Sequence, residues 1–356
     1  MAKMDWILLT AVFMLFFLGL AAIYSVNLSQ ADEGYDNFKK QILFAVIGLV
    51  FMLILGLSNY AGLRVYSRLL WLVCFVLLIL VLFVGSVVHG TQGWLSLGSF
   101  NIQPVELAKV VLIIVLAKFF SNRLQNFTET KHIIVSLILC LSLAVPVLLQ
   151  PDLGSAAVLL GIWFIMLLLT GIRKRTVLLL FLLLAVVAVM GWTVFLKDYQ
   201  KERIMVFLDP QSDPLGSGYN VTQSVIAIGS GKIWGRGLGF GSQSQLKFIP
   251  EAQTDFIFAV IAEELGLFGV FLVVFLWALI FYRLLLIAKG ARDDFGMFLV
   301  LGVMSIFFWH LMINMGMNMG IMPVMGISLP FLSYGGSFLI VAMLLVGMAQ
   351  SVKIKS

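Results

Sequence analysis

The chain has 356 residues, of which 62% are hydrophobic and only 11% charged, with a formal net charge of +6. A soluble domain carries about 25% charged residues, so this much apolar surface cannot be kept from water, and most of it must face lipid or other helices. The excess of base over acid does not point to a nucleic-acid ligand, because the Lys and Arg residues sit in short loops between apolar runs.

A membrane-spanning helix needs about 20 mostly apolar residues. Ten segments meet or approach this, starting near Trp6, Gln41, Leu69, Pro104, Ile133, Leu153, Val177, Asp255, Phe295 and Leu329. The expected fold is all-α: a polytopic membrane protein of about ten transmembrane helices, with 1–356 forming a single domain. The first segment is long, has only Lys3 before it and is followed by further spans, unlike a cleaved signal peptide. Cys74 and Cys140 lie inside apolar runs without metal-ligand spacing, and no cysteine lies in the one long loop.

Positive charge sets orientation. With the N-terminus inside, the inner loops and tails hold fourteen Lys and Arg residues, from Lys3 to Lys355, while the short outer loops hold only Lys39 and Lys40. Both termini are therefore expected to be cytoplasmic, and the loop of 197–254, between spans seven and eight, extracytoplasmic. Even-numbered spans then begin at the outer surface. Helix N-termini carry partial positive charge and unpaired N–H groups that suit anions, and helix starts pointing into a membrane protein recur as substrate sites.

The fourth span opens with Gln103-Pro104-Val105-Glu106. Glu106 and Lys109, three apart, share a helix face. Either they neutralise each other in a packed bundle, or Lys109 meets an anionic substrate while Glu106 orients it. Gln150-Pro151-Asp152-Leu153-Gly154 precedes the sixth span, where Asp152 reads as a helix cap ahead of any chemical role. In the outer loop, Asp209 to Gly216 is rich in turn residues, and Tyr219 to Ile228 reads as a short amphipathic helix on the membrane surface. Gly229 to Gly239 follows, glycine-rich and carrying Lys232 and Arg236. It lacks the spacing of a P-loop and faces away from cytoplasmic ATP. Its flexible backbone and two cations suit a pyrophosphate or simply a tight fold.

Thr254-Asp255-Phe256 opens the eighth span. Asp255 is either a cap or a carboxylate at the lipid boundary, well placed as general base for an incoming hydroxyl. Glu263 and Glu264 lie deeper in the same helix, and intramembrane acids are functional by default. At about 100° per residue, Glu263 is turned about 80° from Asp255 and Glu264 faces the opposite side. Their expected role is structural, bonded to neighbouring helices. His310, Asn314 and Asn318 recur every four residues on the ninth span as a polar stripe, for interhelical hydrogen bonds or for lining a groove. His89 and His132 are loop residues with no partner pattern. The tenth span opens at Leu329-Pro330-Phe331 and continues into Ser333-Tyr334-Gly335-Gly336-Ser337.

These residues carry a resemblance. The stretch from Gln243 to Gly266, centred on Pro250-Glu251-Ala252-Gln253-Thr254-Asp255, resembles the signature of the SEDS family, the RodA/FtsW/SpoVE group. Pro323, Gly326 and the run from Leu329 to Ser337 match a second signature, and Gln103-Pro104 with Glu106-Leu107-Ala108-Lys109 a third. The likeness covers nearly the whole chain. Gln150 to Gly154, the Ser212 to Gly216 loop and the Gln-Ser-Gln run resemble the RodA branch in particular. Gly93 and Val105 stand where the family usually has Arg and Ser, which counts against phosphate binding by the loop between spans three and four.

The resemblance implies a peptidoglycan glycosyltransferase in the bacterial cytoplasmic (inner) membrane. It would polymerise lipid II, an undecaprenyl-pyrophosphate-linked disaccharide peptide, outside that membrane during cell elongation. It implies a class B penicillin-binding protein as partner, with Asp255 at the position of the family's essential carboxylate. It also implies a divalent cation (Mg or Mn), with Asp255 the nearest candidate ligand. Gln103, Glu106, Lys109, Asp152, Thr254, Lys232 and Arg236 are the candidates for contact with substrate. The rival readings are a transporter that moves lipid II across the bilayer and a non-catalytic scaffold for the penicillin-binding protein. Clustering of the unusual residues at the outer face argues against a transport path, which needs sites at the midplane and inner side as well.

Overall fold

A computed structural model describes residues 4–28, 35–88, 90–97, 100–122, 129–190, 198–209, 213 and 216–356. His89, part of the turn-rich stretch (210–212 and 214–215) and the start of the long loop up to 197 lie outside these described residues.

The helices of the described residues are α1 (Trp6–Leu28), α2 (Asp36–Leu57), α3 (Ala61–Val84), α4 (Pro104–Ser121), α5 (Glu129–Leu149), α6 (Leu153–Leu168) and α7 (Lys174–Met190), then α8 (Asp198–Leu208), α9 (Ser217–Ser230) and α10 (Ser242–Gln245) in the long loop, and finally α11 (Ile257–Lys289), α12 (Asp294–Asn318) and α13 (Gly336–Lys355). Seven of them are long and apolar enough to cross a membrane: α1, α2, α3, α5, α11, α12 and α13. The charged α4 and the shorter α6 and α7 make up the remaining spans of an all-helical, multi-pass membrane bundle. The inner ends are tied where α1, α11 and α13 meet. Arg283 donates to both oxygens of buried Asp5 at 2.6, 3.0 and 3.1 Å, and Gln350 bonds the Asp5 main chain in both directions at 2.9 and 3.0 Å.

Three departures from the sequence reading shape the outer face. First, the loop between spans three and four is a small antiparallel sheet, β1 (Ser86–Val88), β2 (Thr91–Leu97) and β3 (Phe100–Ile102), in the order β1-β2-β3. Buried Gln150 fastens it, accepting from Gln92 N at 3.3 Å and donating to Leu78 O at 3.0 Å.

Second, α11 is two helices. Gly266 has φ 63° and ψ −159°, a region of backbone space essentially closed to other residues. Residues 267–289 suffice for one crossing, about 34 Å long at 1.5 Å per residue. Residues 257–265 form a separate piece. Ala259 N bonds Asn318 at the outer end of α12, and Glu264 bonds Ser25 near the outer end of α1. This piece therefore runs across the outer ends of the bundle. Glu263 and Glu264 are not deep intramembrane acids, and because Asp255 precedes the helix, the expected 80° relation between it and Glu263 does not apply.

Third, the tenth span starts at Gly336, not Leu329. Leu329-Pro330-Phe331 is apolar because it plugs the core: Phe331, 1% exposed and at φ 66°, lies against Trp277 and Phe307. The segment 320–335 folds back into the bundle, where a Cβ on Gly19, more than two turns below the outer end of α1, would sit 2.6 Å from Leu332 Cα and O. Irregular backbone at membrane depth is tolerated only inside protein, with its polar groups paired. Side chains from the spans supply that pairing.

Candidate functional site

The side chains that satisfy this buried backbone come from the polar residues that stood out within apolar runs. His310 Nδ1 donates to Ser328 O at 3.0 Å, Asn314 Nδ2 to Ile327 O at 2.8 Å and Gln41 Nε2 to Ser333 O at 3.1 Å. Ser333 Oγ accepts from Leu329 N at 2.8 Å and donates to Thr254 O at 2.6 Å, and Tyr334 N donates to Gln253 O at 2.7 Å. The stripe on α12 thus bonds chiefly to irregular backbone, where bonds between helices were expected.

These links gather the outward helix starts. At α2, Asn37 donates to Gln253 Oε1 at 3.0 Å and Gln41 accepts from Gly335 N at 3.3 Å. At α4, Gln103, the residue before Pro104 in the first turn, donates its main-chain N–H to Ser337 Oγ of α13 at 3.4 Å. At α6, Asp152 Oδ1 caps Ser155 N at 2.9 Å, and Gly154 lies against the carbonyl of Met325. Thr254 and Asp255 precede α11, half-buried, with Thr254 Oγ1 bonded to Glu251 Oε2 at 2.9 Å. Gly326, at φ 67°, faces Asp255, and a Cβ there would lie 3.7 Å from Asp255 Oδ2. The Asp255 main-chain oxygen accepts from Asn314 Nδ2 at 3.0 Å and Asn318 Nδ2 at 2.9 Å.

Lys109 joins this network through His310. Its ammonium is 0% exposed and bonds Glu106 Oε1 at 2.8 Å, Glu106 Oε2 at 2.9 Å and His310 Nε2 at 3.2 Å. Since Ser328 O can only accept, His310 carries its proton on Nδ1 and leaves Nε2 to accept from Lys109. An ammonium has three donors and all are engaged inside the protein, so as folded here it offers none to an anion. The pair is packed between helices, with Lys109 also 5.5 Å from the Phe338 ring centroid.

Lys232 and Arg236 are set apart. The glycine-rich loop lies backbone-to-backbone along α11 at its bend: Arg236 N donates to Glu263 O at 3.0 Å, Gly237 N to Glu264 O at 2.9 Å, and Leu267 N to Lys232 O at 2.9 Å. This is the end of the 257–265 piece remote from Asp255. Both cations are exposed, with Arg236 Nε donating to Ser230 Oγ at 3.2 Å. Glu263 accepts from Gln243 N at 2.8 Å and Ser244 N at 3.1 Å, anchoring the start of α10, and Glu264 accepts from Ser25 Oγ at 2.5 Å. α9 covers the expected amphipathic stretch but is more than a surface helix, since its buried Ser224 donates to Asn318 O at 2.8 Å.

Among the described residues no three His, Cys, Asp or Glu side chains come together as a metal site. Asp255 is the one carboxylate proposed for a cation here, and a divalent ion shared with a substrate pyrophosphate would need only one or two carboxylates.

The family profile described as "Cell cycle protein" (FtsW, RodA, SpoVE) matches residues 5–356. The chain belongs to this family. Stage V sporulation protein E of Bacillus subtilis is 38% identical over 359 residues, covering 98% of this chain and 96% of that protein. Peptidoglycan glycosyltransferase MrdB of Escherichia coli K12 is 38% identical over 341 residues, covering 95% and 92%. Among solved structures, a chain from a peptidoglycan synthase complex, described as coordinating polymerization and crosslinking, superposes with a TM-score of 0.83 at 31% identity over 99% of this chain and 98% of that one. The rod shape determining protein RodA of Thermus thermophilus gives 0.75 at 26% identity over 99% and 97%. The fold, the multi-pass placement in the bacterial cytoplasmic membrane and the family resemblance all agree with the sequence reading.

Gln41, Gln253 and Ser333 entered the sequence reading only as a span start or as parts of signatures, with no role given, and Asn27 did not enter it. Asn27 Oδ1 accepts from Gln253 Nε2 at 2.6 Å, so these residues form one network behind Asp255. The signal was present: each is an amide or hydroxyl inside or beside an apolar run, where an unpaired polar group is costly.

Proposed function

We propose that this chain is a peptidoglycan glycosyltransferase of the elongation type, polymerising lipid II at the outer face of the cytoplasmic membrane with Asp255 as general base. The observation that carries the role of Asp255 is its placement: a carboxylate outside the helix, at the outer ends of the spans, facing a glycine where the starts of α2, α6, α11 and α13 meet one buried segment, with the start of α4 bonded to α13 beside them. The acceptor sugar's 4-hydroxyl gives its proton to the Asp255 carboxylate as its oxygen bonds to the donor's anomeric carbon. The bond from that carbon to the pyrophosphate breaks with inversion, and the lipid pyrophosphate leaves with the electron pair, needing no acid. General base catalysis of this kind supplies roughly 10²–10⁴-fold.

The leaving group's charge needs stabilising. With Lys109 engaged and Lys232 and Arg236 remote, the candidates among the described residues are the starts of α4, α6 and α13, alongside a divalent cation. The structural neighbour from a synthase complex supports a class B penicillin-binding protein as partner, receiving the strand for cross-linking. The test is polymerisation of lipid II by purified protein in detergent, with and without that partner and with and without Mg or Mn. Glycan strands in any arm support the activity. Their absence in all arms, with transport of lipid II in vesicles lacking any other polymerase, would replace it with a transporter.

A further inference from the structure

A helix starting at Asp255 would close its first turn with Ala259 N–H bonded to Asp255 C=O. The structure puts a side chain in place of that bond. Asn318, at the last position of α12, donates through Nδ2 to Asp255 O at 2.9 Å and accepts through Oδ1 from Ala259 N at 3.1 Å, an N–H that Phe256 O shares at 3.1 Å. One turn earlier, Asn314 Nδ2 donates to the same carbonyl at 3.0 Å and to Ile327 O at 2.8 Å. Both asparagines are 0% exposed. Asn318 is held in turn, donating to Asn314 O at 2.8 Å and receiving Ser224 Oγ on its main-chain oxygen at 2.8 Å.

We infer that Asn318 and Asn314 are positioning residues for Asp255, acting on its peptide group and not on substrate. The inference rests on the reading of Asp255 as general base. A carbonyl oxygen has two lone pairs, and here both are filled, so the plane of the 255–256 peptide is fixed from two sides. Asn318 also holds the helix start one turn ahead. Together the two carboxamides keep Asp255 off the helix and its carboxylate facing Gly326, while Asn314 ties the same peptide to Ile327, the neighbour of that glycine. The carboxamide, with a donor and an acceptor side by side, takes both ends of the opened bond at once. A carboxylate at 318 keeps the acceptor and loses the donor, and an aliphatic residue loses both.

The test compares Asn318→Asp, Asn318→Leu and Asn314→Leu in a lipid II polymerisation assay with the partner present. Rates are taken per monodisperse, partner-bound molecule. Displacement of a catalytic group by about 1 Å can cost about 100-fold, so the expected result is a kcat lower by about 10- to 100-fold with KM changed by less than about twofold. In an Asp255→Asn background, Asn318→Leu should lower the residual rate no further, because what it positions is gone. A general structural role would instead reduce the yield of partner-bound protein, or lower the residual rate again in that background. If Asn318→Leu gives no monodisperse protein, the near-isosteric Asn318→Asp decides. Wild-type kcat in Asn318→Asp and Asn314→Leu, with Asp255→Asn inactive, overturns the inference alone. Wild-type kcat in Asp255→Asn overturns the general-base reading beneath it.

Discussion

Replacing Lys109 with Met removes the one cation among the described residues that Glu106 contacts. Glu106 is 6% exposed and both its oxygens are bonded to the ammonium at 2.8 and 2.9 Å. The substitution leaves a buried carboxylate without counter-charge and a His310 Nε2 without its donor. Breaking one partner of a buried ion pair costs about 3–5 kcal/mol. Glu106→Gln should cost a similar amount by stranding the ammonium. The double variant Glu106→Gln/Lys109→Met leaves no unpaired charge, and replacement of a whole buried pair by neutral groups is often close to neutral in stability. Thermal unfolding in detergent should show each single variant lower by an amount on the order of 10 °C, at ~2–4 °C per kcal/mol, and the double variant recovering most of that loss. The reasoning is refuted if the single variants melt with the wild type, or if the double variant is as unstable as the two singles combined.

Gly266→Ala forces a Cβ to within 2.6 Å of Ile233 O and still closer to Gly235 N, both backbone atoms, and the φ/ψ strain alone costs about 1–3 kcal/mol. The glycine-rich loop should lift from the bend, read as faster hydrogen exchange at the Gly237 and Leu267 amides; unchanged exchange would contradict this. Gly326→Asn should fold and polymerise better than Gly326→Val, because Asn visits the left-handed region where a β-branched residue is strained; equal rates would remove the backbone argument. At the cytoplasmic edge, Tyr60 donates to Asp293 Oδ1 at 2.9 Å. Burial, then the bond to Asp293 and its charge, raise the phenol from 10.0 to about 12. A raised folded-state value means the stabilisation is fully present below pH 10 and is lost as pH rises toward 12. Ultraviolet titration should show a late-ionising tyrosine that Tyr60→Phe removes.

Much of this was legible because lipid imposes simple rules. Length and hydropathy located the spans, and the asymmetry of Lys and Arg oriented them. The starts at Pro104 and Leu153 agree with the structure because proline and a capping aspartate mark a helix start locally. What stayed hidden depends on partners distant in sequence. Nothing local distinguishes Leu329-Pro330-Phe331 as a plug from the beginning of a span, since both are apolar; the difference lies in Gln41, His310 and Asn314, which bond the extended backbone. Gly266 was visible as a glycine within a helical run, yet its φ of 63° follows from the loop packed against it. The rotation between Asp255 and Glu263 failed for the same reason, because Asn318 stops the helix short of Asp255. Lys109 could be placed beside Glu106 from spacing alone, but only the position of His310 shows its third donor to be taken.

The most direct test of the proposed chemistry is the rate at which an Asp255→Asn variant turns over lipid II with its partner bound. The carboxamide keeps the size and the main-chain bonds to Asn314 and Asn318 and removes the proton acceptor together with its charge. The expected result is a folded, partner-bound protein whose polymerisation falls by roughly 10²–10⁴-fold, the usual contribution of a general base. Normal polymerisation by that same folded and partner-bound variant would contradict the role of Asp255 outright.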